Sequence, residues 1–172
     1  MRRLKPESFL AVVALLVPCS IAGQTTKRCV AGHELALAGV RLGASASQVR
    51  EHLGSPLMAT KDSSEDDGGV YPVLHMKYRD LNVDLGRGRV EHVSTTSTRP
   101  YMPSGAHVGM PLHRVMRLLH IGPSSIDMVG DTLSPHICAD VPGEPVVALV
   151  LGPGAVDSLR VVKAISLDSF GP

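Results

Sequence analysis

The chain has 172 residues, 17 lysines and arginines against 16 acids, a formal charge of +1, 44% hydrophobic residues and no tryptophan. A balance this even, with no basic stripe, excludes the electrostatic footprint of a nucleic-acid binder. The length suits one domain, or two half-size units sharing one core.

The N-terminus reads as a targeting segment. Arg2, Arg3 and Lys5 make a basic start, Phe9 to Val17 is an unbroken apolar run ended by Pro18, and Ser20-Ile21-Ala22 places small residues before Gly23. That is the pattern of a secretory signal over residues 1–22 or 1–23. The run is shorter than the ~20 residues that cross a bilayer, and Val146 to Leu151 is only strand length, so no membrane span is expected. Leu16-Val17-Pro18-Cys19 has the form of a degraded bacterial lipidation motif, which leaves anchoring through Cys19 as an alternative to a discarded signal cysteine. Cys29 and Cys138 remain beyond the signal. An exported chain meets oxidising conditions, so these two are expected to form a disulfide.

Leu35 to Leu42 is an apolar lead-in broken by Gly43-Ala44. Ser45 stands at a helix N-cap with Gln48 three positions on, a capping box, and Val49 and Leu53 share one helix face. Gly54 and Pro56 stop that helix. Lys61 to Gly69, with the acidic run Asp62-Ser63-Ser64-Glu65-Asp66-Asp67, reads as a loop. Three strands are then predicted. They are Val70 to Tyr78, an alternating segment through Leu81, Val83 and Leu85, and Arg89 to Thr96, the last two joined by a tight turn at Gly86-Arg87-Gly88. Val90 and Val93 lie three apart, which breaks strict alternation and predicts a β-bulge. After a linker with Pro100 and Pro103, a second helix is predicted over about Pro111 to His120. Strands follow at about Pro135 to Asp140, Val146 to Leu151 and Val156 to Ala164. Val146 to Leu151 is apolar on both faces, which places the C-terminal half deeper in the core.

The chain also echoes itself. Gly39, Gly43, Val49 and Leu53 reappear as Gly105, Gly109, Val115 and Leu119, and Gly86, Gly88 and Val90 reappear as Gly152, Gly154 and Val156, always 66 positions on. The echo predicts an α+β fold of two tandem helix plus three-strand antiparallel modules with merged sheets, residues 24–98 and 99–172 after the signal.

These glycines, the capped helix with its Val and Leu-Gly-x-Pro ending, and the Gly-x-Gly-x-Val-x-x-Val strand closure resemble the module of the β-lactamase inhibitor protein family. The small outer-membrane assembly lipoproteins use a similar module. The resemblance covers about residues 39–166. It implies an exported protein that binds other proteins without catalysis. The chain departs from the inhibitors in its poverty of aromatics, which serve there as rigid binding anchors, and from the lipoproteins in its lack of a clear lipidation motif.

Motifs for chemistry are sparse. His33-Glu34 begins like a zinc-protease motif, but Leu37 stands where the second histidine belongs. His113 and His120 lie two turns apart, and His52, His75, His92, His107 and His136 show no ligand spacing. The run Asp62 to Asp67 lacks the alternating ligands of a calcium loop. Gly86-x-Gly88 and Gly152-x-Gly154 lie between strands, with no helix N-terminus to cradle a phosphate. Ser45, Ser47 and Ser124-Ser125 lack a nucleophile elbow. No catalytic, metal or cofactor residues are therefore assigned. The exposed turn arginines Arg87 and Arg89 and the acids Asp62, Glu65, Asp66 and Asp67 are the candidate partner contacts.

The expectation is thus a non-catalytic, periplasmic or secreted interaction protein whose partner is another protein of the bacterial envelope or secreted fraction. The alternatives are an inhibitor of a secreted or periplasmic enzyme such as a β-lactamase, an anchored envelope-assembly lipoprotein, and an enzyme or metal protein using the scattered histidines.

Overall fold

A computed structural model describes residues 29–122, 126–138, 144–152 and 160–170. The signal segment with Cys19, Ser124-Ser125, the Gly154 turn and the Val156 repeat position lie outside the described residues.

The chain enters through a short 3-10 turn, Gly32–Glu34, and a two-residue hairpin of β1 (Ala36–Leu37) and β2 (Val40–Arg41). Helix α1 (Ala46–Leu53) follows, and its N-terminus forms the expected capping box: the Gln48 amide donates to Ser45 Oγ at 3.3 Å, and the Ser45 amide donates to Gln48 Oε1 at 2.8 Å. Gly54, at φ +79°, ends it. Four strands come next: β3 (Met58–Asp66), β4 (Gly69–Lys77), β5 (Asn82–Gly86) and β6 (Arg89–Thr95). Helix α2 (Leu112–Leu118) leads to β7 (Ile126–Val129), β8 (Thr132–Pro135), β9 (Glu144–Leu151) and β10 (Val162–Phe170).

This arrangement corrects the expectation of two α+β modules. β3 to β10 form one antiparallel eight-stranded sheet in the order β3-β4-β5-β6-β10-β9-β8-β7. β6 pairs directly with β10 through Thr95↔Ile165 to His92↔Asp168, so the sheet has no internal boundary. One apolar cluster draws on both helices and on the strands from β4 to β10, including Val49, Val115, Met76, Val93, Ile165 and Leu149. The protein is mostly sheet, with two short helices on one face. The 66-residue echo does not divide it into tandem modules; it marks local features. Gly43 and Gly109 both take positive φ, and Val49 and Val115 are both buried helix positions.

Three further expectations change. The acidic run is strand: Lys61 to Asp66 belong to β3, which pairs with β4 over nine residues from Met58↔Lys77 to Asp66↔Gly69. β3 carried no sequence signal because all nine of its residues are exposed, so neither face needs apolar side chains. Val146 to Leu151 is not buried on both faces: Val147, Leu149 and Leu151 point into the core, while Val150 is 38% exposed. Gly86 is not the turn glycine. The turn residues are Arg87 (φ 51°) and Gly88 (φ 79°), between the paired Gly86 and Arg89. Both φ values are positive, which matches the right-handed twist of the flanking strands. Gly86 instead leaves room for the Glu91 carboxylate, which a Cβ there would meet at 1.9 Å.

The bulge expected between Val90 and Val93 is present. Asp84 pairs with His92 and Leu85 with Val90, leaving Glu91 as the extra residue. The disulfide between Cys29 and Cys138 is present too, flanked by Val30 N to His136 O at 2.7 Å and Cys138 N to Val30 O at 3.0 Å. It clips the lead-in to the segment after β8, and it fits an oxidising compartment. Among the described residues no helix is long and apolar enough to cross a membrane.

Candidate functional site

Both helices pack on one face of the sheet. On the other face, strand pairing brings four titratable side chains into a single row. His75 on β4 stands opposite Asp84 on β5, Asp84 opposite His92 on β6, and His92 opposite Asp168 on β10. The row runs histidine, aspartate, histidine, aspartate across four neighbouring strands. Thr60 of β3 and Val146 of β9 extend it at either end. A parallel row, one pleat along, holds Lys77, Asn82, Ser94, Ser166 and Ala148.

The bulge at Glu91 sets this row. Val90 and Val93 both point into the core, and the extra residue between them lets His92 turn to the open face opposite Asp84. Without the extra residue, strict alternation would send one of the two valines outward.

Each histidine is held by a carboxylate. Nδ1 of His75 donates to Asp84 Oδ1 at 2.8 Å, and Nδ1 of His92 donates to Asp168 Oδ1. An ionised carboxylate only accepts, so each Nδ1 carries the proton and Nε2 is the ring nitrogen left without it. Ser166 Oγ donates to Asp168 Oδ2 at 3.3 Å. The hydrogen bond to Asp168 raises the His92 pKa above its ordinary 6.5, against a smaller lowering by burial, and the charges of Asp168 and Asp84 add to the rise. The row side chains remain accessible, from 28% for Asp168 to 44% for His75.

The contacts expected from sequence fall elsewhere. Arg87 pairs with Asp66 at the end of the β3–β4 hairpin, lies with its guanidinium carbon 3.9 Å from the centre of the Tyr71 ring, and has Glu91 at 3.8 Å. The hydrogen bond from Arg87 holds the Asp66 carboxyl below its usual range. Arg89 points away from that cluster: its Nη1 donates to the Gly43 carbonyl at 3.4 Å. Asp62 accepts from the Ser63 amide at 2.8 Å, Glu65 sits exposed opposite Val70, and Asp67 is in the hairpin turn. The structure therefore joins Asp66 to Arg87 and separates the rest. Of the other histidines, His33 lies 3.3 Å from Glu34, His136 lies 3.1 Å from Asp127, His107 Nδ1 lies 2.9 Å from the Gly105 carbonyl, and the His52 ring occupies the space a Cβ on Gly39 would need. Among the described residues no three His, Cys, Asp or Glu side chains are placed to hold one metal ion.

Sequence reading passed over the row because its members lie at 75, 84, 92 and 168. Only the alternation around β5 hinted at it, placing Asp84 outward between Val83 and Leu85.

No family model matches this chain, and no curated protein matches it. Solved structures do. The uncharacterized protein yfeY from Escherichia coli is similar at 10% identity and a TM-score of 0.48, over 81% of this chain and 99% of that one. An extracellular protein containing an SCP domain from Bacillus anthracis is similar at 11% identity and a TM-score of 0.45, over 74% of this chain and 44% of its own. A cysteine-rich secretory protein from Staphylococcus aureus is similar at 12% and 0.46, over 82% and 50%. The single mostly-β sheet corrects the resemblance drawn from the glycine pattern, whose matched positions record turns and caps that many folds need.

Proposed function

We propose that this is an exported protein that acts by binding another protein, without catalysis, and that the open face of its sheet is the contact surface. One observation carries the reading. The helices pack on one face of the sheet, while the other presents a cross-strand row of paired, accessible polar side chains among the described residues. Export is supported by the basic, apolar and small-residue order of the first 23 residues and by the disulfide. The periplasm or secreted fraction of a bacterium is the compartment this reading implies.

Site-specific photo-crosslinking tests it. A photoreactive residue replaces Thr60, Asn82 or Ser94 on the open face, or Glu51 or Arg114 on the helices, in cells that export the protein. A discrete adduct from the open-face positions alone is expected. Adducts of equal yield from both faces, or none from the open face, would refute the proposal.

A further inference from the structure

We infer that the open face takes an extended, lysine- or arginine-bearing segment of its partner and releases it on acidification. This inference rests on the reading of that face as a contact surface.

The first ground is hydrogen-bond chemistry. With both Nδ1 protons committed to Asp84 and Asp168, the row presents carboxylate oxygens and, in neutral imidazoles, Nε2 lone pairs. Every group it offers outward is then an acceptor. Ammonium and guanidinium groups carry donors and no acceptor, so they complement such a row. The second ground is charge. The two carboxylates with a neutral His92 give the row a negative charge, and protonating His92 Nε2 reduces that charge by one while turning an acceptor into a donor. A bound cation and that proton therefore compete for one surface.

The third ground is spacing. Asp84 and Asp168 are two strands apart, about 9.5 Å at the usual strand separation. A polyproline II segment advances about 3.1 Å per residue with three residues per turn, so basic residues three apart lie on one side and span about the same distance. The partner chemistry is thus two cations at positions i and i+3 of a polyproline II stretch.

The charged surroundings are compatible. From β3, Thr60 faces His75, with Asp62 one pleat along. From β5, Asp84 faces both histidines. From β10, Asp168 faces His92. On β4, Lys77 lies one pleat from His75 and is the built-in competitor. On β6, Glu91 neighbours His92 but lies near Arg87, which also pairs with Asp66.

The test uses the full exported chain and an eight-residue peptide with two lysines three apart, with a norleucine version as control. Binding is followed by calorimetry at low salt, where exposed charges are least screened. At about pH 8 the lysine peptide should bind and the control should not, and near pH 5.5 the affinity should fall at least ~10-fold. Asp84→Asn should weaken binding at about pH 8 by a similar factor, while Glu51→Gln, the same charge change on the helical face, should stay within about two-fold. His92→Gln should flatten the pH dependence. Lys77→Ala should tighten binding, and it perturbs the fold least. Failure of the lysine peptide to bind, equal affinity at the two pH values, or an effect of Glu51→Gln as large as that of Asp84→Asn would each overturn the inference. Crosslinks from the open face with no lysine-peptide binding would defeat the cation inference alone.

Discussion

The hydrogen bond between His92 and Asp168 crosses the β6–β10 pair, the junction at which the first four strands meet the last four. Its contribution to stability should depend on pH in a defined direction. The folded pKa of His92 is raised, chiefly by that hydrogen bond. A raised folded pKa means that folding takes up protons on this group. The added stability is therefore fully present below the unfolded value near 6.5 and is lost as pH rises through the folded value. Hydrogen bonds to charged groups contribute about 1.5–3 kcal/mol when sheltered, whereas exposed ion pairs contribute about 0–1 kcal/mol. Both side chains retain about 30% exposure, so we expect a coupling of about 1–2 kcal/mol near pH 5.5. Near pH 8.5 the neutral imidazole still donates from Nδ1, and the coupling should fall to about 0.5–1 kcal/mol. Urea denaturation of the wild type, His92→Gln, Asp168→Asn and the double variant at both pH values isolates the pairwise term. A coupling that is constant, or larger at the higher pH, would refute the reasoning. A His92 imidazole titration by NMR provides a second check: its pKa should drop on Asp168→Asn.

Three further outcomes follow from local geometry. Replacing Cys29 and Cys138 by serine should cost about 2–5 kcal/mol, since the bridge closes a loop with a sequence separation of 109; an unchanged denaturation midpoint would show that the bridge is dispensable. Ser45→Ala removes the acceptor for the Gln48 amide and should cost about 1 kcal/mol, read from thermal or urea unfolding. Gly88→Ala forces a Cβ into φ 79° at the β5–β6 turn and should cost about 1–2 kcal/mol, whereas Gly122→Ala, where nothing lies within 4 Å of the added Cβ, should cost less. Equal effects of the two glycine substitutions would argue against turn strain as the cause.

Features legible in the chain share one property: they are decided within a few residues. The Ser45–Gln48 box needs only a span of three, and the Val90–Val93 interval was enough to place the bulge at Glu91. The Cys29–Cys138 bridge is the long-range exception, readable because two cysteines outside the signal permit one pairing. β3 was misread because a strand exposed on both faces has no alternation to detect. The module count failed for a related reason. Repeated glycines and helix positions report turns and caps, while whether two sets of strands stay apart or join is decided by an edge pairing, here β6 with β10.

The sequence by itself determined the export pattern, the capped helix, the tight turn, the bulge and the disulfide, because chain-local sterics and hydrogen bonding, or a pairing without alternatives, suffice for each. The single sheet and its His75-Asp84-His92-Asp168 row were decided only in three dimensions. That row exists through register across four strands, and register is set by the burial of Val83, Val93 and Leu167 on the opposite face. The residues that carry the candidate function are thus placed by the core behind them, which no spacing along the chain expresses.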